Sequence, residues 1–251
     1  MEKNQKEPVS PEEVQTTPST EEKKMGIVDW IINVFTSPTK AFQGIDRNPT
    51  WIAVFIIIVL TSIGFQLVNK DLLVEARIKQ IEMSEVLSEE QKDSQIATAG
   101  DFFEPPLVYV NFITVIVGAL LVYLIVAGVL YFTGNVVLGG EGRFRNIFVM
   151  YIYTSLVTIP NFLLTTFLAH SRNSLDIQMN LALFLDPESS GGFLYRFLSH
   201  IGLFSAWQVV LVAIGFAIIY KFEFKKSLTV IIILQLIYSV MSAGAGSLIR
   251  F

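Results

Sequence analysis

Cysteine is absent, histidine occurs twice, and Asp, Glu, Lys and Arg together make up only 16% of the 251 residues. The lack of cysteine excludes a disulfide-stapled scaffold. A net charge of −4 speaks against nucleic acid as a partner. No P-loop, dinucleotide-binding glycine pattern, nucleophile elbow or zinc-protease motif occurs anywhere in the chain. What is abundant instead is apolar surface: 52% of the residues are hydrophobic, more than a water-soluble fold of this length can hide.

That surface is gathered into five stretches, at about 51–68, 107–132, 147–169, 201–220 and 228–249, and none of them contains Asp, Glu, Lys or Arg. Each is long enough for a helix to cross roughly 30 Å of hydrocarbon. The predicted fold class is an all-α integral membrane protein: five transmembrane helices preceded by a membrane-interfacial amphipathic segment. Residues 1–24 hold three prolines and few aliphatic side chains, and are expected to be a disordered cytoplasmic tail without signal-peptide character. Residues 25–50 are expected to be helical and to lie in the interface. Ser37-Pro38 has the chemistry of a helix start, with Ala41, Phe42 and Ile45 on its apolar side, and Asn48-Pro49 repeats that signal before Trp51. The membrane domain then runs through 51–251.

Lys and Arg set the orientation. With five spans, eleven of the eighteen fall on the N-terminal side and seven on the other. The positive-inside rule then puts the N-terminus in the cytoplasm and the C-terminus outside. The long connection 69–106 carries nine acidic against four basic residues. Val74, Ile78 and Ile81 have helical spacing there, suggesting that the first span continues out of the membrane, and Ser88-Glu89-Glu90-Gln91 fits a capping box. We read this connection as a solvated helical cap. The second outer connection contains the apolar patch Leu181 to Leu185, suited to the interface.

Candidate chemistry is sparse. Gly139-Gly140-Glu141-Gly142 lacks both a preceding buried strand and a Lys-Ser/Thr ending, and reads as a tight cytoplasmic turn. His170 and His200 flank a connection containing Asp176, Asp186 and Glu188, but two histidines at helix ends do not make a metal site. No catalytic residue, cofactor site or metal site is expected. Spans without ionisable groups argue against a proton pump or voltage sensor. Gln66, Asn111, Gln208 and Gln235 read as interhelical glue. Polarity does concentrate around Pro160, which should kink the third span, and Tyr151, Thr154, Thr158 and Asn161 are the residues that would line a cavity there.

Three blocks of sequence resemble the prokaryotic branch of the Yip-one domain family. They are Phe35 to Phe42 with Asn48, Pro49 and Trp51; Gly139, Gly140, Gly142 and Phe144 followed by Tyr151, Tyr153 and Pro160; and Phe204 to Trp207 with Gly215 and the turn Phe222 to Ser227. The resemblance marks Ser37, Pro38, Phe42, Pro49, Trp51, Gly139, Gly140, Phe144, Pro160 and Trp207 as motif positions without an assigned role. It implies a five-span membrane protein with a cytoplasmic N-terminus. The Asp-Leu-Tyr-Gly-Pro motif of the eukaryotic, Rab-associated relatives is absent, which points to a prokaryotic cytoplasmic membrane. The expected function is non-enzymatic: organising or recruiting partners at the membrane, through a protein partner at the cytoplasmic N-terminus or through self-association, with membrane lipids around it. The alternative is a conduit for lipid or a small neutral solute through the helix bundle.

Overall fold

The computed structural model describes residues 26–248, except 48, 85, 176, 178 and 186–191. The expected N-terminal tail, Asn48, Asp176, Asp186 and Glu188 lie outside the described residues. Among the described residues the chain is all helical, without a strand. Four helical stretches are long and apolar enough to cross a membrane: Leu107–Val137, Phe144–Arg172, Leu203–Tyr220 and Phe224–Ala245. The pair Ile52–Val68 and Lys70–Glu82, bent by 73°, brings the number to five.

The chain opens with α1 (Ile27–Thr36) and α2 (Pro38–Arg47), joined at Ser37. As the pattern predicts, α2 buries Ala41, Phe42 and Ile45. Helix α3 (Ile52–Val68) begins three residues after Pro49, so the Asn48-Pro49 signal does not start it. At 17 residues, α3 extends about 25 Å. It does not continue straight out of the bundle as expected. The axis turns at Asn69, and α4 (Lys70–Glu82) leaves as a separate helix. Asn69 is fully buried, and its side-chain amide donates to Phe65 O (2.8 Å) and to Thr166 Oγ1 (2.9 Å), tying the bend to the third span.

The capping box at Ser88 opens α5 (Glu89–Ala97): Gln91 N donates to Ser88 Oγ (3.3 Å), and Ser88 N donates to Gln91 Oε1 (3.0 Å). The second span, α6 (Leu107–Phe132), has the bounds that the sequence implies and runs into a π turn over Thr133–Val137. The third span is α7 (Phe144–Thr154) and α8 (Thr158–Arg172), separated by a 3-10 turn at Ser155–Val157. Pro160 accounts for that turn: it has no amide hydrogen for the carbonyl of Leu156, and its ring crowds that carbonyl. A short α9 (Phe193–Ser199) precedes α10 (Leu203–Tyr220) and α11 (Phe224–Leu248).

The core lies where α7, α10, α2 and the first half of α3 meet. Val34, Phe42, Ile45, Ile147, Met150, Ile152, Leu156, Leu211 and Phe216 are essentially inaccessible there. By contrast α6 and α11 turn most of their apolar surface outward, with Val110, Ile113, Ile125, Ile233 and Met241 all exposed. Outward-facing aliphatic side chains on helices of this length suit a hydrocarbon solvent.

Candidate functional site

Half of the motif positions gather at the end of the bundle where α2, α6 and α10 finish and α7 and α11 start. At its centre is Tyr220, the last residue of α10. The π turn brings Gly134 under its ring, and the loop after it brings Gly140 and Gly142. A Cβ at any of these three glycines would overlap the Tyr220 side chain. Gly139 adopts φ +69, a backbone region that favours glycine. The Tyr220 hydroxyl donates to Asn135 Oδ1 (2.6 Å), and Asn135 Nδ2 donates to Gly142 O (3.1 Å). Phe222 stacks on Tyr220 at 5.5 Å, and the Lys226 ammonium lies 4.1 Å from the Phe222 ring centroid. The expected tight glycine turn is therefore also a socket for one aromatic side chain.

The helix pair α1–α2 is fixed beside this socket. Asn146 Nδ2 donates to the backbone carbonyl of Asp46 (3.0 Å) and to its carboxylate (2.6 Å), while Arg145 donates to Pro49 O (2.9 Å). Phe42 is buried, and a Cβ at Gly215 would press on Met150 and touch Phe42. Gly44 leaves room for the Trp30 ring between the two helices. At the turn, Ser37 and Pro38 are half-buried, and Phe35 meets Trp207 edge to face at 5.4 Å. Trp51 lies edge-on to Phe55 (5.8 Å) and Phe148 (5.4 Å), and Phe144 lies between Phe148 and Tyr131. Five motif positions thus converge on one end: Pro49, Trp51, Gly139, Gly140 and Phe144. Phe42 lies farther in, against Gly215, and Ser37 and Pro38 lie deeper still, at the turn beside the Phe35–Trp207 contact. Trp207 joins them through Phe35, whereas Pro160 sits farther along the third span.

Around the third-span break, Thr154 and Ser155 are buried. The Thr154 and Ser155 hydroxyls donate to Tyr151 O (2.7 and 3.0 Å), and the Thr158 hydroxyl donates to Ser155 O (2.8 Å). These groups satisfy the backbone that the 3-10 turn frees. Tyr151, Thr158 and Asn161 are half-buried, and Gln208 Nε2 reaches Ser155 Oγ at 3.5 Å. The Asn111 side chain donates to Gln66 Oε1 (3.1 Å), joining α6 to α3.

At the opposite end, a surface notch of about 490 Å³ lies between α4 and the Gly100 to Glu104 turn. Its only cation, Lys70, is paired with Glu104 at 2.8 Å. The Glu104 carboxylate, through that hydrogen bond, raises the Lys70 pKa above its ordinary value. His200 Nε2 lies 2.9 Å from Ser242 Oγ. Among the described residues no three His, Asp or Glu side chains converge as metal ligands would.

Asn135, Asn146 and Tyr220 are central to the motif-bearing end, yet the sequence did not single them out. Asparagines immediately beside a glycine-rich turn were the available signal. Their partners lie 85 and 100 residues away for Tyr220 with Asn135 and for Asn146 with Asp46, beyond what local spacing reveals.

No curated protein and no solved structure matches the chain. Residues 32–245, which include all ten motif positions, match the Yip1 domain. The chain therefore belongs to the Yip1 domain family and is an integral membrane protein with four or five apolar helices able to span the bilayer.

Proposed function

We propose that this chain is a non-enzymatic organiser of partners in a prokaryotic cytoplasmic membrane, with its N-terminus in the cytoplasm and its C-terminus outside. The observation that carries the proposal is the convergence of Pro49, Trp51, Gly139, Gly140 and Phe144 on one end of the bundle. Tyr220, Asn146, Arg145 and Phe148 hold that end together, and among the described residues the motif positions there supply no acid, base or nucleophile. Such an end holds a surface in fixed shape. Trp30 lies against Gly44, so α1 runs back antiparallel to α2 and Gly26 lies toward this same end.

Charge supports the orientation. The described residues of this end include Arg47, Arg143, Arg145, Lys221, Lys225 and Lys226, against Asp29, Asp46, Glu141 and Glu223. The α4–α5 end is acidic. Such a basic excess belongs on the cytoplasmic side.

The absence of cysteine makes the test clean. Glu141→Cys and Ser88→Cys each supply a single thiol for a membrane-impermeant reagent on intact cells. Ser88→Cys should label and Glu141→Cys should not; the reverse pattern overturns the orientation. A photo-crosslinker placed at position 141 of the full chain in native membranes should give a discrete protein adduct. That adduct should be lost in Asn146→Ala, where the hairpin is released. If only lipid adducts form from this end, the organising role is rejected.

A further inference from the structure

Helix α2 is amphipathic, and among the described residues no acidic side chain pairs with the cations of its second face. Thr39, Lys40, Gln43 and Arg47 are exposed and fall within about one third of the helix circumference. The acidic residue of α2, Asp46, points elsewhere and is engaged by Asn146. The ion pairs among the described residues, Lys70 with Glu104 and Lys92 with Glu89, involve neither Lys40 nor Arg47.

The depth of this face follows from the contacts of α2. Asp46 meets Asn146 near the start of the third span, Phe42 comes up to Gly215, and Phe35 reaches Trp207. The hairpin therefore runs inward along α7 and α10, its turn leading. Lys40 is six residues before Asp46, so its backbone sits about 9 Å deeper than that contact, and about 12 Å below the end of the span. The third span is 29 residues long, about 43 Å, which leaves roughly 6 Å beyond a 30 Å hydrocarbon layer on each side. The Lys40 backbone is then about 6 Å inside the hydrocarbon boundary, within reach of the phosphate level for a lysine that extends back toward water. Arg47 sits two turns nearer the surface. On α1, Ile27, Val28 and Ile32 are exposed and offer an apolar wall beside the polar stripe.

We propose that this face of α2 seats the headgroup of an anionic phospholipid. The phosphate lies between Lys40 and Arg47, the Gln43 amide donates to it, and the acyl chains run along α1. Charge complementarity selects this occupant. Two cations without an ion-pair partner among the described residues, at the boundary of hydrocarbon and headgroups, face the one anion abundant at that depth, and each basic group near such a surface adds to the attraction. A protein partner at the same depth would have to bring a buried acid, at a far larger desolvation cost.

The full chain is purified in detergent and examined by native mass spectrometry with phosphatidylglycerol or phosphatidylcholine of identical acyl chains. The wild type should retain phosphatidylglycerol in preference to phosphatidylcholine by roughly tenfold or more. Lys40→Ala with Arg47→Ala should remove that preference. Lys225→Ala with Lys226→Ala, an equal charge loss at the same end, should keep it. Equal loss in both double variants would mean general attraction to anionic lipid and overturn the site, as would a preference that survives without Lys40 and Arg47. Should the first double variant not fold, Gln43→Cys carrying a photoreactive label in phosphatidylglycerol vesicles decides the matter. Lipid adducts support the site; adducts to a second copy of the chain replace it with a self-association face.

Discussion

At the hairpin end, Tyr220 stands in a socket of three glycines, and α2 is pinned to α7 by the Asn146 and Arg145 bonds. At the opposite end, α5 buries no residue, and Met83 and Val86 are largely exposed. Contacts there are of a different kind: the Lys70–Glu104 pair, the Arg77 guanidinium 4.0 Å from the Phe102 ring centroid, and a capping box internal to α5. One end is held by shape and by buried hydrogen bonds; beyond the buried Asn69 bend, the other relies more on solvated charges and local helix chemistry. Buried contacts couple distant parts of the chain and resist change, whereas screened surface contacts contribute little and act locally. That difference is why a presented surface is assigned to the first end.

The comparison would break if substitutions at the two ends had similar effects. The largest effect is expected for Gly134→Ala, whose Cβ overlaps a Tyr220 ring held in place by Asn135. Overpacking of this kind costs about 1–3 kcal/mol, which lowers the thermal unfolding midpoint in detergent by several degrees. Asn146→Ala should follow, at about 1–3 kcal/mol, since it leaves the Asp46 carbonyl and carboxylate without their donor. Its distinguishing readout is faster proteolysis between residues 47 and 51 with the rest of the bundle intact. At the other end, Ser88→Ala removes the α5 cap, worth about 1 kcal/mol to that helix. Because α5 buries nothing, the loss should appear as faster amide exchange at Glu89 to Gln91, with the unfolding midpoint unchanged. A midpoint shift as large as that of Gly134→Ala would erase the contrast between the ends.

The smallest effect is expected for the Lys70–Glu104 pair. The Lys70 pKa is raised by its hydrogen bond to Glu104. Stability from such a shift is fully present below the unfolded lysine value and is lost as pH rises through the folded one. Glu104→Gln and wild type should therefore melt alike, with any difference between them constant from pH 6 to 9 and vanishing only at strongly alkaline pH. A difference that changed within pH 6 to 9 would show that another group controls this end.

Much of the architecture is legible in the residues. Leu107 to Phe132 can be read as a span because no charge interrupts it, and Ala41, Phe42 and Ile45 mark the buried face of α2 by spacing alone. Ser88 and Gln91 announce their cap for the same reason: both partners lie within one turn. The third span begins at Phe144, three residues earlier than its hydropathy suggests, because Arg145 belongs to the helix while its guanidinium reaches Pro49. Hydropathy counts that arginine against the membrane; the fold uses it as a clasp. The Asn69 bend is hidden for a similar reason, since it depends on Thr166, 97 residues away.

By itself, the sequence determined the all-helical class of this protein, its four or five long apolar helices, and which face of α2 is apolar. These follow from composition and period, and every group involved is a near neighbour along the chain. Only the tertiary structure decided that α1 and α2 form a hairpin set against α7 and α10, that three glycines surround one tyrosine, and that the polar face of α2 is left exposed. Those features depend on the packing of segments about a hundred residues apart, where steric fit and buried hydrogen bonds select the arrangement and local pattern carries no record of the partner.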